Sequence, residues 1–165
     1  MAIITIDELF QRAQAFEENL ENFYVKIRDE SENNGVRLVT YYLARNRRHL
    51  QRVLDDFEPG DVLKVKNVQL KFGIDFSPAL DVTVLKPASI NARQLLEAAA
   101  VYDAALIELY KNILKQPIGR LAQMLLESLL KVEERDIVLI KKNDCHGLFL
   151  KGIAFFYGRI RTSDR

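Results

Sequence analysis

The sequence predicts an all-α chain: four long helices in a bundle, with an extended crossover between the second and third. Three observations carry that expectation. Apolar residues recur at intervals of three and four across four long segments, as they do along one buried helical stripe. Capping and turn-forming residues fall at the joints between those segments. Polar residues interrupt the four stripes at related positions, as they would if the helices faced one another around a common interior.

The first helix is predicted over residues 5–33. Thr5 offers a capping oxygen, Asp7 and Glu8 put negative charge in the first turn, and Phe10, Ala13, Leu20, Tyr24 and Ile27 form the stripe. Gly35, after Asn33 and Asn34, suits the left-handed residue that follows a helix end. The second helix, 36–57, runs through Val39, Leu43, Leu50, Val53, Leu54 and Phe57 and is stopped by Glu58, Pro59 and Gly60. Residues 58–88 read as an ordered crossover with a short extended pair. They contain Val62, Val65, Val68, Val82, Thr83 and Val84, are broken by Gly73, Pro78 and Pro87, and keep no sustained helical period.

Ser89 is the expected cap of a third helix over 89–116, through Leu95, Leu96, Ala99, Leu106, Tyr110 and Ile113. Pro117 fits the first turn of a fourth over 117–143, through Leu121, Leu125, Leu129, Ile137 and Ile140. Short turn, long crossover, short turn makes the first and third helices parallel. The remaining residues, 145–165, include LFLKGIAFFYGRIR, apolar and basic by turns. This tail is expected to pack on the bundle or on a partner subunit; a membrane-surface anchor is the less favoured alternative.

Bulk composition narrows the function classes. A chain of 165 residues is the size of one domain. Lys and Arg total 24 against 23 Asp and Glu, so no charge excess draws the chain to nucleic acid. The basic run Arg45, Arg47, Arg48 and Arg52 is expected to be a solvated face pairing with Asp55, Asp56 and Glu58. Cys145 is the single cysteine, which excludes an internal disulfide and a four-thiolate metal centre. The opening MAIITIDELF lacks a secretory pattern and no apolar run approaches the ~18 residues of a membrane span, so a cytoplasmic location is expected.

The chemistry lies where the stripes are interrupted. Asn46 and His49 share the second helix's stripe with Tyr42 and Val53, and Glu133 and Asp136 share the fourth's with Leu126, Leu129 and Ile140. Glu17 lies on the first stripe and Asp103 on the third. An internal repeat links them: Glu17 and Tyr24 reappear as Asp103 and Tyr110 at an offset of 86, and Asn46 and His49 become Glu133 and Asp136 at 87. Two such halves packed about a pseudo-twofold axis bring all six groups to one level. Buried carboxylates cost several kcal/mol each unless protons, arginines or metal ions neutralise them. The nearby arginines fall off the stripe, and oxygen-rich ligands with one imidazole suit iron or manganese.

This pattern resembles the ferritin-like superfamily, rubrerythrin-type proteins in particular, over about residues 6–143. In that family one helix of each pair supplies a Glu and the other a Glu-x-x-His. Position by position, Glu17 corresponds to the first-helix glutamate, His49 to the first histidine and Glu133 to the second bridging glutamate. Asn46 stands in place of a glutamate, Asp103 is a shortened glutamate, and Asp136 replaces the second histidine. The resemblance implies a ferritin-like bundle, and the departures are compatible with a single-metal site, an atypical di-metal site or a metal-free relic. Glu17 and Asp103 would be terminal ligands, Glu133 would bridge or bind one metal, and His49 and Asp136 would complete the set. It also implies iron or manganese handling with oxygen or peroxide. With one cysteine there is no rubredoxin-type centre, so electrons would come from an external donor, and a homodimer is expected. The alternative function is a catalytically inactive scaffold serving dimerisation or protein interaction.

Several plainer readings stand beside these. His49 alone could be a hydrogen-bonded core histidine and Glu17 a surface residue beside Glu18 and Glu21. Tyr24 and Tyr110 read as core aromatics in preference to redox participants, and Cys145-His146 is too small for a metal site.

Overall fold

Local signals set most of the helix boundaries. The computed structural model describes residues 4–45, 48–71 and 89–146, with side chains to residue 141. Its elements are β1 (Ile4–Thr5), α1 (Ile6–Glu30), α2 (Asn34–Arg45), α3 (His49–Asp55), α4 (Pro59–Lys66), β2 (Gln69–Leu70), α5 (Ala92–Leu114) and α6 (Arg120–His146). The described part is thus almost wholly helical. Thr5 caps α1 as expected: its Oγ1 accepts from the Glu8 N–H, and Glu8 Oε2 accepts in return from the Thr5 N–H at 2.8 Å.

At other joints the structure departs from the expected boundaries, at two of them because a neighbouring side chain supplies the cap. Asn33 Oδ1 accepts from the N–H groups of Gly35 and Val36, which starts α2 early and places Gly35 inside its first turn, with ordinary helical backbone. Asn91, not Ser89, caps α5, through a reciprocal box with Gln94. Gly119 is the left-handed glycine, with φ of 80°, and α6 begins just after it, three residues beyond Pro117. α6 continues to His146, past the expected end at residue 143.

The expected second helix, 36–57, is split. α2 ends at Arg45, Arg48 has non-helical backbone, and α3 starts at His49. Pro59 then opens α4 at a position where a missing N–H costs nothing, so Glu58-Pro59-Gly60 starts a helix as well as ending one. The short extended pair has one strand at the head of the expected crossover: β2 pairs antiparallel with β1, Ile4 opposite Leu70. Gln116 Oε1 accepts from the Lys71 N–H at 2.8 Å, which ties this segment to the end of α5. The rest of the crossover, residues 72–88, and the tail from 147 lie outside the described residues, as does Asn46. The helical end of the tail, Cys145 and His146, is described in its backbone only.

α1 packs against α2 and α5 against α6, and the two pairs meet through α2 on α5 and α3 on α6. Their shared interior is a single apolar cluster in which Leu9, Leu20, Leu43, Leu95, Leu106, Leu125 and Leu129 are at most 1% exposed. The repeat is visible in this burial. Leu9, Ala13, Phe16, Glu17, Leu20, Tyr24 and Ile27 of α1 are all buried, and so are their partners at an offset of 86 in α5: Leu95, Ala99, Tyr102, Asp103, Leu106, Tyr110 and Ile113. The two caps obey the same offset, Thr5 with Asn91 and Glu8 with Gln94. Equivalent residues also touch: the Phe16 and Tyr102 rings meet edge to face at 5.9 Å, as residues close to a pseudo-twofold axis would. Val36, Val39 and Leu43 likewise match Ala122, Leu125 and Leu129 at 86, whereas His49 matches Asp136 at 87. The offset therefore changes between Leu43 and His49, the stretch in which Arg48 leaves helical geometry while α6 continues.

Replacing Asn91 with Ala should lower the unfolding free energy by about 1 kcal/mol, whereas Ser89→Ala should stay within about 0.5 kcal/mol of the parent. Urea denaturation followed by circular dichroism measures both; equal effects would remove Asn91 from the capping role.

Candidate metal centre

Among the described residues, three carboxylates and one histidine are buried in this apolar interior, one from each of α1, α3, α5 and α6. Glu17 is 7% exposed, His49 2%, and Asp103 and Glu133 0%. Each occupies a stripe position that its helix had to turn inward to bury the flanking leucines, so the backbone delivers the polar group along with the apolar ones. Glu17 is therefore an interior residue, while Glu18 beside it is exposed.

Three of these groups converge. One ligand atom each from Glu17, His49 and Glu133 lies within 4.8 Å of the other two, close enough to hold one metal ion. Glu17 reaches the cluster across the joint between α2 and α3, where its Oε1 accepts from the Leu50 N–H at 3.4 Å in the first turn of α3. N–H groups in the first turn of a helix lack intrahelical partners, and the carboxylate satisfies this one. Glu133 is the least satisfied member. Both of its oxygens are enclosed and neither completes a hydrogen bond. Its Oε1 lies 3.2 Å from His49 Nδ1, a charge contact when the ring is protonated, and neither atom has a further hydrogen-bond partner.

His49 is held from its other side. Nε2 lies 2.8 Å from Asp136 Oδ2, and Asp136 is partly exposed at 18%. Asp136, expected in the ligand set, thus sits behind the histidine and leaves Nδ1 turned toward Glu133. His49 and Asp136 are repeat equivalents at an offset of 87, a second such pair in contact. Burial alone would lower the His49 pKa. The Asp136 hydrogen bond and the close Glu133 carboxylate override it and raise the value to about 9.

Asp103, fully buried on α5, lies outside the converging trio, and Asn46 lies outside the described residues. Tyr24 and Tyr110 are fully enclosed core aromatics. Burial pushes the Tyr110 phenol well above its ordinary pKa, reinforced by the negative charges of Glu133 and Glu17, so a neutral phenol faces the carboxylates. Arg48 and Arg52 are solvent-exposed, as expected, but their partners differ: Arg48 pairs with Glu21 at 3.4 Å, and Arg52 donates to the Arg45 carbonyl. Asp55 accepts instead from Gln51 at 2.7 Å. Sequence periodicity placed Asp136 inside but could not show that it would be spent on the histidine's far nitrogen. Among the described residues no helix is long and apolar enough to cross a membrane.

Compared with known protein families, with curated proteins and with solved structures, the chain shows no match. Its chemistry is therefore read from its own geometry.

The His49 pKa has a consequence for stability. The folded chain keeps that proton up to about pH 9, the unfolded chain only to about 6.5. The stabilisation is fully present below about pH 6.5 and is lost as pH rises through 9, because in that window the folded state binds the extra proton. Metal-free protein should lose on the order of 3 kcal/mol across it. His49→Gln should flatten the profile; an unchanged slope in denaturation between pH 6.5 and 9 would assign the loss to another group.

Proposed function

We propose that this chain is a metal-carboxylate protein built as a ferritin-like four-helix bundle with a long crossover. In this reading α2 and α3 together form the second long helix of the bundle. Glu17, His49 and Glu133 hold a divalent ion, iron or manganese, for use with oxygen or peroxide. The observation that carries the reading is Glu133: enclosed, with two unsatisfied oxygens, and within reach of two further ligand groups. Leaving a carboxylate in that condition costs several kcal/mol, and a cation among three converging donors removes the cost. Two carboxylates and one imidazole are a donor set that iron and manganese accept.

The residues divide the work. Glu17 and Glu133 offer oxygens and His49 offers Nδ1 once its proton has left. Asp136 keeps the Nε2 proton in place, which fixes the ring's orientation and makes Nδ1 a better donor. Asp103, at the repeat position of Glu17, stands as a further carboxylate for a second ion, with Asn46 as a carbonyl ligand at the Glu-x-x-His position. Tyr110 keeps a neutral hydroxyl facing the site, and the enclosing leucines limit water. A redox-active ion bound there supplies one-electron chemistry toward oxygen or peroxide. With no rubredoxin-type centre on the chain, electrons come from an external donor, and the working unit is a homodimer.

One observation favours a second reading, a catalytically inactive scaffold used for dimerisation or protein interaction. Protonated His49 lies between Glu133 and Asp136 at 3.2 and 2.8 Å and supplies one positive charge without any metal. In that case the buried polar groups are only a cost, and replacing Glu17 and Glu133 with Gln should stabilise the fold.

Elemental analysis after purification without chelator separates the two. The parent should carry iron or manganese and oxidise added ferrous ion, and the Glu17→Ala, Glu133→Ala double variant should do neither; equal metal content in both would end the metal reading. Asp136→Asn should weaken metal binding about 10- to 100-fold without abolishing it, as measured by competition with a chelator. Because the ion displaces the Nδ1 proton, affinity should rise by up to about tenfold per pH unit between pH 6.5 and 9. A titration in which affinity did not change with pH would exclude His49 as a ligand.

A further inference from the structure

Glu17 belongs to two features at once. It is a member of the buried trio, and it also lines a surface cleft of about 300 Å³ together with Gln14, Glu18, Glu21, Arg48 and Gln51. No other residue belongs to both. The cleft opens beside the joint between α2 and α3, where the chain at Arg48 leaves helical geometry. Among the described residues its lining carries three carboxylates and one guanidinium, in a protein whose charges otherwise nearly cancel. Behind Glu17 lie the two unsatisfied oxygens of Glu133 and the unsatisfied Nδ1 of His49, both side chains more than nine-tenths buried.

We propose that this cleft is the path by which a divalent cation reaches the buried cluster, with Glu17 handing the ion inward and the Arg48–Glu21 pair forming a barrier at the mouth. The proposal rests on the reading of Glu17, His49 and Glu133 as a metal site. Negative lining raises the local concentration of cations, and low-dielectric walls strengthen the effect. Glu18 is exposed and collects ions at the mouth, while Gln14 donates to its Oε1 at 3.2 Å and holds it there. Glu21 has its Oε1 3.4 Å from the Arg48 guanidinium, whose side chain is 71% exposed. Such a solvated pair is held by little energy and opens readily. While closed it sets a positive charge in the ion's way. Arg48 also directly precedes His49, so displacement of the guanidinium occurs one residue from a ligand.

The test is the rate of Co(II) uptake by chelator-stripped protein, followed by stopped-flow absorbance at low salt, together with the final amount bound. Glu18→Gln combined with Glu21→Gln should slow uptake about tenfold and leave the final amount unchanged. Arg48→Gln should speed it about threefold, and added salt should narrow both differences. A control pair outside the cleft, Asp56→Asn with Glu58→Gln, changes net charge equally and should load at the parental rate. Equal rates in parent and cleft variants, with full final loading, would overturn the path and leave the metal site standing. Equal slowing by the control pair would also overturn it, because the protein's overall charge would then be the cause. If the parent binds no Co(II), the metal site fails and the path fails with it.

Discussion

The structure is organised around one unfavourable requirement, the enclosure of ionisable groups in an apolar interior. Glu133 and Asp103 are removed from water completely and Glu17 and His49 nearly so, in a cluster otherwise made of leucines, isoleucines, valines and aromatic rings. Each buried ion costs several kcal/mol, against a net stability for a domain of this size of about 5–15 kcal/mol. Such groups persist in a fold only when partners offset much of that cost. The protein supplies part of the offset itself. Asp136 and Glu133 hold a charged histidine between them, and a backbone N–H at the start of α3 meets Glu17. Apart from that close contact with His49, Glu133 has no hydrogen-bond partner for either oxygen.

The non-helical backbone at Arg48 shapes this arrangement. It sets His49 in the core at the head of α3, puts the Leu50 N–H of that first turn within reach of the Glu17 carboxylate, and stands beside the cleft that Arg48 lines. The cost of interrupting a helix is met by packing, since Leu43, Leu50 and Val53 remain buried on both sides of the joint. Fold and site thus share one local feature.

The internal repeat places buried polar groups at matching positions, Glu17 on α1 and Asp103 on α5. Helices α1 and α5 carry the same buried positions 86 residues apart, down to the reciprocal caps at their starts. Two pairs of equivalents meet directly: Phe16 with Tyr102, and His49 with Asp136. The halves have diverged in chemistry at those meeting points. A histidine faces a carboxylate where a strict repeat would oppose two like groups, and unlike charges are the lower-energy outcome in a dry interior.

The sequence by itself determined the helical class, the apolar stripes and which polar residues lie on them, because all three follow from a period of 3.6 residues and need no distant contact. Glu17, His49, Asp103 and Glu133 were legible as interior groups for that reason. Caps were legible only where one candidate existed: Thr5 was, whereas Asn33 and Asn91 competed with neighbours whose oxygens are equally suited, and three-dimensional reach decided. The division of the second helix, the pairing of β2 with β1, the use of Asp136 on His49 Nε2 and the meeting of Arg48 with Glu21 were decided by the tertiary structure alone. Each depends on distances between segments far apart in the chain, and periodicity along one helix holds no information about those.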